Sequence, residues 1–250
     1  KAQEFDLPPL DQQRRIADLM WAAETHKRAV QSTAQSMSSA RSAYVDRILS
    51  SFSESGQVAD LNDLVAPGRP ITYGILKPGP FVSEGVPVVK VRDFPDGEIN
   101  TDDLLRTAPE IDDAYARSRL REGDLLISIR GTVGRLAEVP CTLDGANITQ
   151  DTARLSIGGA HSVKYVRLAL ESKSIQAKIK RAMTGLAVKG INIGELRKIP
   201  IPVPPSAADE DRLVSMASSL WRAEAKVHEE LVHLDAIQAA VLFELQRGLA

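Results

Sequence analysis

Leu7-Pro-Pro-Leu-Asp-Gln-Gln-Arg-Arg-Ile16 stands near the start of this chain, and Val203-Pro-Pro-Ser-Ala-Ala-Asp-Glu-Asp-Arg-Leu213 repeats the device near its other end. Paired prolines lack N–H donors and push the residue before them out of helical space. The acidic and polar residues that follow suit a helix N-terminus and its dipole. Each copy therefore stops an extended segment and launches a helix. The repeat brackets everything between, which predicts two long helices carrying one globular module.

Apolar residues recur after the first copy at Ile16, Leu19, Ala23, Val30, Ala34, Met37, Tyr44, Ile48 and Phe52, with no proline or glycine from Asp11 to Phe52. That spacing draws one stripe on a helix. A helix of about 40 residues runs about 60 Å, longer than a small domain needs to cover its own core. After the second copy, Leu213, Met216, Leu220, Ala223, Val227, Leu231, Leu234, Ile237, Val241 and Leu245 follow in steps of three and four. Charges such as Arg222, Lys226, Glu229 and Glu230 lie between them. Two such stripes can seal one another as an antiparallel coiled coil.

The segment between the helices has another texture. Glycines and prolines punctuate strand-like runs at Gly85-Val-Pro-Val-Val-Lys-Val-Arg92, Asp124-Leu-Leu-Ile-Ser-Ile-Arg130, Gly134-Arg-Leu-Ala-Glu-Val139 and Ala153-Arg-Leu-Ser-Ile157. Their β-branched content and turn flanks predict a β-rich unit. A helical period occupies residues 162–183, and Ile199-Pro-Ile-Pro-Val203 suits an edge strand, where proline is tolerated. The fold class is α+β: a β-rich module over residues 55–205, inserted between long helices over residues 1–54 and 206–250.

Composition narrows the function. With 250 residues, 43% of them hydrophobic, the chain can bury a real core. No apolar run approaches the roughly 18 to 20 residues that cross a bilayer, so no membrane partner is expected. A single cysteine, Cys141, rules out an internal disulfide framework and fits a reducing cytoplasm. Thirty-one basic residues against 33 acidic ones leave a net charge of −2, so any nucleic-acid surface must come from local segregation of charge.

Catalytic patterns mostly fail on geometry. The histidines of His228-Glu-Glu-Leu-Val-His233 are five apart rather than four, and so face different sides of a helix. Gly185-Leu-Ala-Val-Lys-Gly190 has phosphate-loop glycine spacing, but Ile191-Asn192 follows where Lys and Ser/Thr are required. No dinucleotide loop or nucleophile elbow is present, and His26 and His161 have no sequence-evident nucleophile beside them. Neither a metal nor a cofactor is expected. What remains is a set of glycine-adjacent loops rich in Arg, Lys, Thr, Asn and Gln, the residue types that meet phosphates and base edges. They are Arg130-Gly-Thr-Val-Gly-Arg135, Asn147-Ile-Thr-Gln-Asp151 and Lys189-Gly-Ile-Asn192.

The combination of Leu7-Pro-Pro-Leu-Asp-Gln-Gln-Arg-Arg-Ile-Ala17, Gly123-Asp-Leu-Leu-Ile-Ser-Ile-Arg-Gly-Thr-Val-Gly134, and Gly185-Leu-Ala-Val-Lys-Gly-Ile-Asn192 before Ile199-Pro-Ile-Pro-Val-Pro-Pro205 resembles the specificity subunit of type I restriction-modification systems. The resemblance implies a non-catalytic subunit. Its target recognition domain would read one half of a split sequence in double-stranded DNA. Its helices would act as a spacer and as a dock for methyltransferase subunits, and through them a restriction and translocation subunit. The methyl donor and ATP would belong to those partners. The family's usual subunit carries two recognition domains, and this chain has one and starts at Lys1 without an initiator Met. Two arrangements stay open: half of a longer subunit, or a half-subunit that pairs with a second copy.

Base-reading positions differ between specificities in this family, so they cannot be carried over by motif. The residues themselves nominate Tyr73, Lys77, Lys90, Arg92, Arg130, Thr132, Arg135, Gln150 and Lys189, with the arginines suited to guanine and Gln150 to adenine. Two competing readings are a coiled-coil scaffold whose module binds protein, and a catalytic fragment. The first would lack the steep salt dependence of DNA binding, and the second is disfavoured by the missing motifs.

Overall fold

The computed structural model describes residues 9–185 and 189–248, with side chains through Phe243. Leu7 and Pro8 of the first device, residues 186–188 of the glycine loop and the side chain of Leu245 lie outside these. Two compact units form. One combines the residues up to Tyr44 with those from Ser215 on, and the other is Val45–Val214.

The helical unit is built from α1 (Leu10–Glu54) and α6 (Ala207–Gly248). The carbonyl of Pro9 accepts the first helical hydrogen bond of α1, from the Gln13 N–H at 3.0 Å. Ser206 caps α6, accepting the Asp209 N–H at 3.2 Å and donating its hydroxyl to the Asp209 carboxylate at 2.7 Å. Within this unit the half-buried and buried positions of α1 are 13, 16, 20, 23, 24, 27, 30, 34, 37, 38, 41, 42 and 44, and those of α6 are 217, 218, 220, 223, 224, 227, 231, 234 and 238. Among the described residues three ion pairs join the helices: Lys27–Asp235, His26–Glu230 at 3.4 Å and Arg41–Glu224 at 2.9 Å. Residues 26 and 27 meet 230 and 235, whereas Arg41, further along α1, meets the earlier Glu224, so the pair is antiparallel.

The seam departs from the expected stripe at four places. Leu19, Met216, Ile237 and Val241 are 63%, 46%, 60% and 41% exposed. Met20, Ala217 and Gln238 take the places of the first three. Strict alternation of three and four residues keeps a contact line on one face, and an apolar residue one position off it is carried round into water.

The described residues of the globular unit form three small sheets. The largest runs β2 (Thr72–Tyr73), β8 (Thr152–Leu155), β5 (Leu125–Ser128), β6 (Leu136–Glu138), all antiparallel. The second runs β4 (Leu105–Thr107), β3 (Val86–Val89), β7 (Asn147–Ile148), with β3 and β7 parallel. The third pairs β1 (Val58–Asp60) with β9 (Pro200–Pro202), and Pro200 and Pro202 sit on that two-stranded edge as their missing donors require. Four helices complete it: α2 (Pro109–Ala114), α3 (Val163–Glu171), α4 (Lys173–Arg181) and α5 (Ile193–Arg197). Strands β5 and β8 are buried along their whole length, which explains the unbroken apolar run Leu125-Leu-Ile127. The core gathers Val89, Phe94, Leu120, Leu126, Val139 and Ile148. Each such side chain contributes about 1.5–3 kcal/mol of apolar burial.

Two expected elements divide. The run from Gly85 to Arg92 holds its strand only over Val86–Val89 before a 3-10 turn at Val91–Asp93, closed by the Lys90 N–H on the Asp93 carboxylate at 2.7 Å. The helical period of residues 162–183 breaks at Ser172, which is extended (φ −61°, ψ 146°) and caps α4 by accepting the Ile175 N–H. The first turn of α6 is tied to the start of α3 within this unit. The Glu210 carboxylate accepts the Ser162 N–H at 2.7 Å and pairs with His161 Nδ1 at 2.8 Å.

Candidate nucleic-acid interface

Three backbone junctions bring distant segments to one cleft. Ile75 N–H donates to Ile148 O at 2.7 Å and Gln150 N–H to Ile75 O at 2.9 Å, which sets the segment after β2 beside the one after β7. Gly74 makes this approach possible, since a Cβ there would stand 1.9 Å from the Ile148 carbonyl oxygen. Ile129 N–H donates to Asp151 O at 2.8 Å, fastening the end of β5 to the same place. Ile191 N–H donates to Ile129 O at 3.0 Å and adds the segment that leads into α5. The result is a cleft of about 240 Å³ lined by Tyr73, Leu76, Arg130, Gln150 and Asn192, among others.

Of the nine nominated residues, Tyr73, Arg130 and Gln150 meet here. The Arg130 guanidinium donates through Nη1 to Gln150 Oε1 at 2.9 Å, with the Asp151 carboxylate 4.0 Å away. Lys77 follows the cleft-lining Leu76 in sequence and is exposed, and exposed Lys189 precedes Gly190, which bridges Arg130. Lys90 and Arg92 border a different opening of about 410 Å³, together with Phe81, Arg106, Asp102 and Asp103. Thr132 and Arg135 lie on the β5–β6 connection and line neither cleft. The Ser128 hydroxyl donates to the Thr132 carbonyl and accepts the Arg135 N–H at 2.8 Å. That connection needs glycine at 131 and 134, where φ is 69° and 92°.

Two further residues enter from the tertiary arrangement. Arg117 places its guanidinium carbon 5.9 Å from the centre of the Tyr73 ring, a cation–π distance that its surroundings in sequence give no reason to expect. Asn192 caps α5, accepting the Glu195 N–H at 2.9 Å. Asn147, part of a loop read as offering amides outward, is fully buried: its Nδ2 donates to Asp112 at 2.7 Å and its Oδ1 accepts the Ser118 hydroxyl at 2.8 Å. Its amide is spent inside the fold.

A second polar cluster gathers on Asp124 and Arg154, which are 5% and 1% exposed in their side chains. Asp124 accepts Arg69 Nη2 at 2.7 Å, the Arg121 N–H at 2.8 Å and the Ser156 hydroxyl. Ser156 in turn accepts Arg69 Nε at 2.7 Å and Arg154 Nη1. Arg154 also donates to the carbonyls of Pro70 and Arg117, each at 3.1 Å. Burial, with the like charge of Arg69 nearby, lowers the Arg154 pKa to about 10, which leaves it charged at neutral pH. Among the described residues no group of three or more His, Cys, Asp or Glu is placed to hold a metal, and no helix is long and apolar enough to cross a membrane.

No protein-family model matches the sequence. Over 193 residues it is 28% identical to the type I restriction enzyme EcoBI specificity subunit of Escherichia coli, covering 75% of this chain and 40% of that protein. Among solved structures, the HsdS subunit from Thermoanaerobacter tengcongensis aligns over 98% of this chain and 60% of its own, at a TM-score of 0.59 and 19% identity. A chain from a structure of type I restriction-modification complex assembly aligns over 95% and 60%, with the same TM-score and 21% identity. The type I S subunit from M. genitalium aligns over 93% and 60%, at a TM-score of 0.55 and 15% identity. The chain thus spans 40% of the length of the first of these relatives and 60% of each of the others.

Proposed function

From its similarity to type I specificity subunits in sequence and in fold, we propose that this chain is a non-catalytic DNA-recognition subunit. The module of residues 55–205, with the helix ends packed on it, reads one half of a bipartite duplex target. The long helices set the spacing and dock methyltransferase subunits, through which a restriction subunit is engaged. The observation that carries this reading is the Tyr73–Arg130–Gln150 cleft. An exposed aromatic ring, a guanidinium and a primary amide converge on one opening, where the guanidinium and the amide share a single hydrogen bond. These are groups that hydrogen-bond base edges and stack on or contact sugars and bases. A bipartite target requires a second recognition domain, either in the same polypeptide or in a second copy brought by the helices, related by a two-fold axis.

The test is selection of random duplexes by the purified chain together with its methyltransferase partner, followed by sequencing of the retained DNA. Enrichment of a short half-site, or of two at fixed spacing, is expected. Affinity should also fall steeply with salt as phosphate counterions are displaced. Absence of enrichment together with a flat salt dependence would reject DNA recognition in favour of a protein-binding scaffold.

A further inference from the structure

Resting on that reading, we propose that Arg130 and Gln150 act as one device that reads a single guanine, with Gln150 a positioning residue and not an independent reader of adenine. Arg130 is held from three directions. Its backbone N–H lies 3.3 Å from Asp151 O, its neighbour Ile129 accepts from Ile191, and Gly190 packs on its stem. A Cβ at Gly190 would stand 2.9 Å from Ile129 O and 3.2 Å from Arg130 Cγ, so the glycine makes room for that stem. At the tip, Gln150 Oε1 takes a hydrogen from Nη1. The Nε and Nη2 donors have no partner among the described residues, and the side chain is 52% exposed. The open fork of Nε–H and Nη2–H matches the paired O6 and N7 acceptors that guanine presents in the major groove.

Two features favour a base edge over a phosphate. The Asp151 carboxylate, 4.0 Å from Nη1, offsets the guanidinium charge and repels a phosphate, while leaving its N–H groups free for neutral acceptors. Pinning the tip to Gln150 also removes rotamer freedom, which a directional bidentate contact requires and a point-charge contact does not. Gln150 for its part has committed its carbonyl oxygen to Arg130. Reading adenine takes that oxygen and the amide N–H₂ together on N6 and N7, so the amide becomes available only when Arg130 is gone.

The experiment repeats the duplex selection on the full chain with its methyltransferase, comparing wild type, Arg130→Ala and Gln150→Ala after matching their thermal midpoints. Wild type is expected to enrich a motif containing a guanine that Arg130→Ala abolishes, with adenine taking that position and affinity for the original site falling roughly tenfold or more. Gln150→Ala is expected to keep the same guanine with a weaker preference. Two results overturn the device while leaving DNA recognition intact: Arg130→Ala weakens all sequences equally, as a phosphate contact would, or the two substitutions erase different positions of the motif. A wild-type chain that enriches nothing overturns the recognition reading itself, and the device with it.

Discussion

Arg154 on β8 and Arg130 just past the neighbouring strand β5 lead opposite lives. Arg154, on β8, is 1% exposed and spends Nη1 and Nη2 on Ser156, Pro70 and Arg117. Arg130, just beyond β5, is half exposed and gives one hydrogen bond. A guanidinium whose donors are mostly answered inside the fold, beside a carboxylate, holds the module together. One with an open fork at the rim of a cleft is free to answer a ligand. The difference lies in what surrounds each group, since the two side chains are chemically the same.

The comparison can be broken most forcefully at Asp124, whose side chain is 5% exposed. Asp124→Ala strips the carboxylate from half-buried Arg69 and buried Arg154, and should cost about 3–5 kcal/mol, as loss of one member of a buried ion pair does. For a unit of this size that lowers the thermal midpoint by roughly 10 °C or more, measurable by calorimetry. A change of a degree or two would remove the cluster from its structural role. Arg130→Ala, by contrast, should leave that midpoint nearly unmoved, because an exposed side chain with one hydrogen bond contributes little to folding.

The helical unit supplies the next contrast. Val30→Asp places a carboxylate at a seam position that is 7% exposed, and should cost about 2–4 kcal/mol for a buried polar group without a partner. Both tryptophans, Trp21 and Trp221, lie in this unit, so their fluorescence during urea unfolding reports it directly. Unfolding at the wild-type urea midpoint would refute the seam. Leu234→Asp, at a half-buried position, should act in the same direction and less.

Gly74→Ala sharpens the account of the cleft itself. Its Cβ collides with the Ile148 carbonyl, so the β2 end must move away from the Gln150 segment, at a cost of about 1–3 kcal/mol. The amide of Gln150, bonded to Ile75 O, should then exchange faster with deuterium than in wild type. The smallest effect is expected for Lys27→Ala, whose ion pair with Asp235 lies at the surface. The hydrogen bond to Asp235 raises the Lys27 pKa above its ordinary 10.5, so the contribution of the pair is complete at neutral pH and is lost only as pH rises through that raised value. Wild type and Lys27→Ala should therefore differ least above that range and only slightly below it, in paired thermal scans.

Much of the architecture was legible along the chain. The two Pro-Pro devices marked the helix starts, three-four periodicity marked the seam, an apolar run marked β5, and a strand-like run between turn residues marked β8. Leu19, Met216, Ile237 and Val241 misled because hydrophobicity alone cannot say whether a residue sits on the contact line or one position beside it. In the candidate site, glycine-adjacent polar loops pointed to Arg130 and Gln150, and Tyr73 stood among the nominated residues. Arg117 left no such mark, since it reaches the Tyr73 ring across a separation of 44 positions.

Local rules act over a turn of helix or a strand pair, and within that range the order of residues settled where helices start, which face is apolar, and which loops carry donors and acceptors. Whether an arginine or an amide points into the core or out to a ligand depends on which segments the folded chain lays beside it. Asn147 and Gln150 stand three positions apart in one loop. Burial against Asp112 and Ser118 spends the first inside, while the junction with Ile75 and Arg130 sets the second at the cleft.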